Sequence, residues 1–300
     1  MIYRMRSKQN SKADLQKTEI TGYFNDKNYM KMRILQKIFN CVIVAVTAAL
    51  FVGCAQDNSY SSINDLPVIV IGSDEYEPYN FSDKNGNPAG IDVEIATEAF
   101  ARMGYKAAFK NIVWDEKDKY LADGKVDCLW GCFSMNGREN MYKWAGPYMN
   151  SRQAVAVRAD SDIYKLSDLA GKRVAVQSSS KPEELLSDKN NGMPQVGNLY
   201  CFVKIDYIFA ALNKEYVDAI AGHEYMLRQL VNEVNGKYRL LDENLLISKL
   251  GVAFYKENNT EIPERLRSVL NDMMKDGTIA KIAEKYGLDA DAAFGGIAIE

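Results

Sequence analysis

From residue 66 onward, short apolar runs with β-strand composition alternate with stretches that carry apolar side chains at helical spacing. This alternation narrows the fold more than any other feature of the chain. LPVIVIGS reads as a strand, and DVEIATEAFARMG as a helix with Ile95, Ala99, Phe100 and Met103 on one face and Gly104 ending it. KAAFKNIVW reads as a second strand, followed by a short helix and a third strand in VDCLWGC. The order β, α, β, α, β implies a mainly parallel sheet with helices on its faces. The same order restarts at KRVAVQSSS. A pattern L-x4-V-D-x3-G runs from Leu121 to Gly131 and again from Leu212 to Gly222, 91 residues later. It falls at the equivalent place in two α/β units, so two lobes of related build are expected.

Residues 38–52, IFNCVIVAVTAALFV, are apolar apart from Asn40 and Thr47, follow Lys31, Arg33 and Lys37, and precede Gly53 and Cys54. A run of this length reads as an export signal, being short for a membrane span. The small residue followed by cysteine resembles a bacterial lipoprotein processing site, with Phe51 where leucine is more usual. On that reading Cys54 is lipidated and anchors the mature chain to the membrane. The alternative, an uncleaved anchor helix, also leaves the rest of the chain extracytoplasmic. QDNSYSSIND, within residues 54–65, is a polar tether.

The leader, residues 1–53, holds 9 Lys and Arg against 3 Asp and Glu, which leaves 28 basic and 37 acidic residues from Cys54 onward. That excess of acid argues against nucleic acid as a partner. The remaining 247 residues suffice for one large domain or two ordinary ones. Beyond the leader and Cys54 only Cys128, Cys132 and Cys201 remain, so the chain is no disulfide scaffold. Cys128 and Cys132 are read as lying on one face of a strand, too far apart for a bridge. One histidine and no dense cysteine cluster leave no zinc site expected, and no cofactor.

In an open α/β sheet, ligands sit beyond the carboxyl ends of the strands. The internal echo pairs Cys132 with His223, each just past such an end. His223 is followed by a helix pattern with Met226, Leu227, Leu230, Val231 and Val234 on one face. The helix dipole at its N-terminus disfavours a charged imidazole, so a neutral, hydrogen-bonding histidine is expected.

The motifs VIVIGSDEYEPYNF, GNPAGIDVEIATEAFARMG, VDCLWGCFSMNGRE, WAGPY, LSDLAGKRVAVQSSSKPEELL, YVDAIAG and MMKDGTIAKIAEKYG follow one another over about 220 residues. In this order and spacing the chain resembles the extracytoplasmic solute-binding proteins that serve polar amino acid ABC transporters. The resemblance implies a two-lobed periplasmic-binding-protein-like fold of type II that closes around a small solute. Each lobe would be a mainly parallel sheet flanked by helices. Lobe 1 would be residues 66–150 plus 249–300, and lobe 2 residues 151–248. The two hinge crossings would fall near Tyr148 to Gln153 and Ser248 to Gly251.

Carried over residue by residue, the resemblance makes Arg138 the clamp for a ligand carboxylate, because Gly131 to Arg138 matches the family's G-x-T-x-T-x-x-R segment. A guanidinium can give such a group two parallel charge-assisted bonds. Phe133 and Met135 replace the segment's threonines, so either Ser134 supplies the hydroxyl after a one-residue shift or backbone groups do. Ser180 stands at the family's carboxylate-binding threonine. By composition it also suits the N-cap of a helix that begins near Pro182, and free N–H groups there would form an anion site. Gln177 is expected to add a polar contact. Tyr76, Tyr79 and Trp114 match aromatic positions that wall the family's side-chain pocket. Asp74 is read either as a partner for a ligand amine or as a cap of the following turn. At the position where the family carries the aspartate that accepts from the α-ammonium, this chain has His223. Glu224 could substitute if turned inward, although a first-turn acid needs no functional reason.

The function these residues imply is a monomeric, lipid-anchored binding protein that delivers an amino acid or related small carboxylate to an ABC permease. It needs no catalytic constellation. One alternative is an enzyme of the cyclohexadienyl dehydratase type, with His223 and Glu224 as acid and base. Another is an extracellular solute sensor. Residues 1–29 are polar and mixed in charge, whereas MKMRILQK has the short basic start of an export signal. Translation is therefore expected to begin at Met30 or Met32; N-terminal mass spectrometry of the unprocessed precursor checks this, and peptides preceding Met30 would refute it.

Overall fold

The computed structural model describes residues 66–234, 236–289 and 293–295. The expected export signal, the expected lipidation site at Cys54 and the expected tether lie outside the described residues. Val68–Ser73 forms β1, with Ile69 and Ile71 buried. A small antiparallel hairpin, β2 (Phe81–Ser82) and β3 (Pro88–Ala89), precedes α1, Ile91–Arg102. Ile91, Ile95, Ala99 and Phe100 bury one stripe of α1, and Gly104, at φ 80°, turns the chain out of it. β4 (Lys106–Asn111), a 3₁₀ turn (Trp114–Glu116), α2 (Lys117–Ala122) and β5 (Cys128–Leu129) follow.

β6 is a 16-residue strand, Lys143–Arg158. The second half of the chain adds β7 (Arg173–Gln177), α3 (Lys181–Ser187), β8 (Asn198–Phe202), α4 (Ile205–Asn213), β9 (Ala219–His223), α5 (Glu224–Glu233) and β10 (Tyr238–Leu240). β11 (Leu246–Phe254), α6 (Ile262–Lys275) and α7 (Thr278–Lys285) complete the order.

The strands make one nine-stranded sheet in the order β4-β1-β5-β11-β6-β9-β7-β8, with β10 also on β6. β4, β1 and β5 are parallel, as are β9, β7 and β8; β11 and β6 run antiparallel between the two groups. This is the α/β architecture expected, with the mixed pairing concentrated in the strands that join the parallel triplets. The segments expected to cross between lobes, Tyr148 to Gln153 and Ser248 to Gly251, lie within β6 and β11. α6 buries Leu266, Leu270 and Met273 at helical spacing against β6 and α1.

The internal echo has a physical basis. Val70 N–H donates to Asp127 Oδ2 at 2.7 Å, while Asp127 N–H donates to Val70 O at 2.8 Å. In the second unit Arg173 N–H donates to Asp218 Oδ2 at 2.8 Å, and Asp218 N–H to Arg173 O at 2.8 Å. Each V-D aspartate thus ties its strand to the central strand of its triplet.

Two local expectations are corrected. β5 ends at Leu129, so Cys128 and Cys132 do not share a strand; Cys132 sits in a bend at φ 50°, and both thiols are free and buried. Val234 lies past the end of α5 and is exposed, because the helix stops at Glu233.

Asp218→Ala would leave the Arg173 N–H without its acceptor and remove the paired guanidinium contact. It is expected to lower the free energy of unfolding by about 1–3 kcal/mol. Urea titration checks this, and an unchanged midpoint would refute the role assigned to the echo.

Candidate functional site

The site begins where β1 ends. The chain turns through Asp74 to Asn80, with Tyr76 N–H donating to Asn80 O at 2.6 Å and Tyr79 N–H to Tyr76 O at 2.9 Å. The first N–H groups of α1, from Ile91 and Asp92, donate to the carbonyls of Pro78 and Tyr79 at 3.0 Å and lock the turn against the helix. Gly90 permits that approach: its φ is 122°, and a Cβ there would lie 2.3 Å from the Tyr79 carbonyl oxygen.

Asp92, in the first turn of α1 and 1 % exposed, positions the next wall. It accepts from Cys132 N–H at 2.7 Å and from the Tyr148 hydroxyl at 2.8 Å. Burial pushes its carboxyl up to about 7 against the lowering effect of these bonds. The sequence reading missed this residue, since a first-turn acid in GIDVEIA looks like ordinary dipole compensation.

The facing wall comes from β7, α3 and β9. The Gln177 amide donates to Asp74 Oδ2 at 2.5 Å, the Ser179 hydroxyl to Asp115 Oδ1 at 2.6 Å, and His223 N–H to the Tyr76 hydroxyl at 3.1 Å. All three bonds join the two halves of the sheet. Gly222 makes room for the last one, because a Cβ there would come within 3.2 Å of that hydroxyl and 2.4 Å of Met226 Cε.

Between the walls lies a pocket with a free volume of about 30 Å³. Asp74, Tyr76, Trp114, Gly131, Phe133, Ser134, Arg138, Gln177, Ser180 and His223 all line it. Of the ligand-contact residues expected, only Tyr79 and Glu224 do not. Cys132, Lys181 and Pro182 also line it and were not foreseen as contacts. Trp114 and Phe133 meet edge to face at 5.0 Å between centroids, within a cluster that includes Tyr142 and Trp144.

Arg138 is 8 % exposed and lies over the Phe133 ring at 5.2 Å. Its Nη2 pairs with Glu184 Oε2 at 3.1 Å, and Glu184 Oε1 meets Lys181 Nζ at 2.5 Å. Trp144 Nε1–H donates to the Arg138 carbonyl at 3.0 Å and fixes the backbone that carries the guanidinium. Ser180 is the N-cap of α3, accepting from Glu183 N–H at 3.4 Å, and the Ser179 N–H goes to Glu183 Oε2 at 2.5 Å. Two donors of the expected anion site are thereby already engaged.

His223 ends β9 and caps α5. Its Nε2 lies 2.9 Å from the Gln153 amide nitrogen, which can only donate, so the ring proton belongs on Nδ1, 2.9 Å from Ser151 Oγ. The Gln153 amide also donates to Ser248 Oγ at 3.0 Å, and the Tyr79 hydroxyl lies 3.2 Å from Ser151 Oγ. The imidazole is neutral as expected, held down to about 3 first by burial and then by the Arg138 charge. Tyr79 is fully buried behind the pocket because its hydroxyl completes this network. Glu224 turns away from the pocket because Arg228 holds Oε1 at 2.5 Å and Arg152 approaches Oε2 at 3.4 Å. Burial raises the Asp74 carboxyl to about 7, against the bond from Gln177. Among the described residues no group of three or more His, Cys, Asp or Glu side chains is placed to hold a metal ion.

A twisted α/β sheet in two strand groups, with a polar pocket between them at the strand ends, defines a periplasmic-binding-protein-like fold. The chain belongs to the bacterial extracellular solute-binding proteins of family 3, whose profile matches residues 68–289. It is 25% identical over 264 residues to the L-cystine-binding protein TcyA of Bacillus subtilis (strain 168), covering 82% of this chain and 94% of that protein. An ancestral arginine-binding protein bound to arginine has a similar structure, with a TM-score of 0.66 and 28% identity over 73% of this chain and 97% of that one. The fold is also shared with the ancestral amino acid-binding protein AncCDT-1, a precursor of cyclohexadienyl dehydratase, at a TM-score of 0.66 and 24% identity over 73% of this chain and 95% of that one.

His223 makes stability acid-sensitive. The folded imidazole stays neutral to about pH 3 while the unfolded one protonates near 6.5, so its contribution is full above 6.5 and is lost as pH falls toward 3. Relative to His223→Gln, the unmutated protein is expected to lose stability between neutral pH and about pH 4. Denaturant titration at both values tests this; a constant difference would mean that the folded imidazole protonates freely.

Proposed function

We propose that this chain is a binding protein, anchored through lipidated Cys54, that captures an amino acid or related small carboxylate and hands it to an ABC permease. The observation that carries the reading is Arg138, a buried guanidinium at a closed, aromatic-walled pocket. Its present partner, Glu184, has a side chain 47% exposed, and a pair of that kind contributes little stability. A ligand carboxylate could therefore displace it. The relatives' names, for cystine and arginine, agree in kind with such a ligand.

The pocket of about 30 Å³ has room for a water or two but not for an amino acid. Entry therefore requires the halves to part. We assign residues 66–150 with 249–300 to one lobe and 151–248 to the other, moving about the crossings in β6 and β11. The bonds Gln177 to Asp74, Ser179 to Asp115 and His223 to Tyr76 would be made on closure.

The dehydratase alternative asks His223 and Glu224 to act as acid and base. Both ring nitrogens of His223 are occupied by Ser151 and Gln153, and Glu224 is held by two arginines. Neither side chain has an unengaged acid or base group to offer a ligand, which favours binding over catalysis.

In a thermal-shift screen of amino acids, amines and small carboxylates, a ligand that binds the folded protein raises its melting temperature. Arg138→Ala is expected to remain folded and to lose affinity by about 10- to 200-fold, the effect of one or two charge-assisted bonds. Undiminished binding by a folded variant would refute the carboxylate clamp.

A further inference from the structure

α2 opens with a lysine that faces inward. Lys117 lies four residues before buried Leu121, on the same helical face, and is itself only 5 % exposed. Its ammonium stands 5.4 Å from the centroid of the Trp114 ring and 5.9 Å from that of Phe133, the ring that also carries Arg138 at 5.2 Å. Two cations thus share one aromatic ring that lines the pocket.

Lys117 makes no hydrogen bond or ion pair among the described residues. The carboxylates that act on it, Asp74, Asp115 and Asp118, are each taken by a neutral donor instead: the Gln177 amide, the Ser179 hydroxyl and the Tyr142 hydroxyl. Burial, aided by the Arg138 charge and opposed by Asp118, holds the ammonium below its usual range. A desolvated cation beside another cation is costly without an anionic partner. Lys117 and Arg138 help to line a groove of about 450 Å³ that adjoins the pocket through Arg138 and Ser180. Three acids line it too, and each has a partner: Asp118 accepts from the Tyr142 hydroxyl, Glu183 from Ser179 N–H, and Glu184 pairs with Arg138 and Lys181.

The negative side of the pocket is correspondingly thin. His223 is neutral, Glu224 is engaged elsewhere, and among the described residues Asp74 is the one carboxyl group lining it.

Building on the carboxylate-binding reading, we infer that Lys117 is a second anion contact and that the ligand is a small acid with two carboxylates, one on Arg138 and the other on Lys117 across the Phe133 ring. The partial cation–π contacts hold the ammonium in place until that carboxylate arrives.

Calorimetric titration of the purified protein with glutarate, butyrate and glutamine tests this. Glutarate is expected to bind at least about tenfold more tightly than butyrate, as one further charge-assisted contact provides. Lys117→Met, whose side chain suits the two rings, should stay folded and abolish that advantage while leaving butyrate affinity within about twofold; Lys117→Arg should retain it. If glutarate has no advantage, or keeps it in a folded Lys117→Met variant, the inference is overturned while binding of butyrate or glutamine leaves the carboxylate reading standing. If none of the three binds, the inference is overturned, while the thermal-shift screen and Arg138→Ala decide the carboxylate reading separately.

Discussion

The arrangement of this molecule depends on one strand. β6 is the antiparallel partner of β11 along one stretch and of β9 and β10 along the next, so both parallel triplets are referred to its 16 residues. At its middle, where an apolar strand would be the simpler choice, stand Ser151 and Gln153, 4 % and 0 % exposed. Their polar groups must be bonded inside the protein or be costly. The Gln153 amide meets His223 and Ser248, and the Ser151 hydroxyl meets His223 and Tyr79, so the two halves and β11 converge on one buried knot. The Gln153 side-chain oxygen, Oε1, accepts no bond among the described residues, so this knot is incompletely satisfied.

The same knot decides what His223 contributes. Its side chain lines the pocket, but its hydrogen-bonding capacity is spent on β6. What it offers a ligand is an uncharged ring edge, T-shaped against Tyr76 at 5.8 Å. Positive charge at the pocket comes from Arg138 on the opposite wall and from Lys181 on the same wall as His223, both more than nine-tenths buried. The electrostatic character of the pocket therefore follows from which charges are spent on protein partners and which are not, a distinction invisible in a residue count.

Much of the architecture was legible. Strand and helix periods located β1, α1, β4 and β7, because burial of one face imposes those periods on any sequence. The V-D echo identified equivalent places in two units, because each aspartate performs the same backbone tie. Arg138, Tyr76, Trp114 and Ser180 were reached through the family pattern. Asp92 and Lys117 were not, since one resembles a dipole-compensating acid and the other a solvated helix residue. Tyr79 and Glu224 lie off the pocket because their partners, Ser151, Arg152 and Arg228, act through side-chain directions that no spacing encodes.

The sequence by itself determined the order of elements, the α/β class and the residue types available to the pocket, since these follow from local periodicity and chemistry. Only the tertiary structure decided which of those residues face one another. His223 reaches Ser151 across 72 residues of chain, Gln177 reaches Asp74 across 103, and Lys117 comes to share the Phe133 ring with Arg138. Burial and partnership are properties of three-dimensional packing, and they set the charge that each group carries.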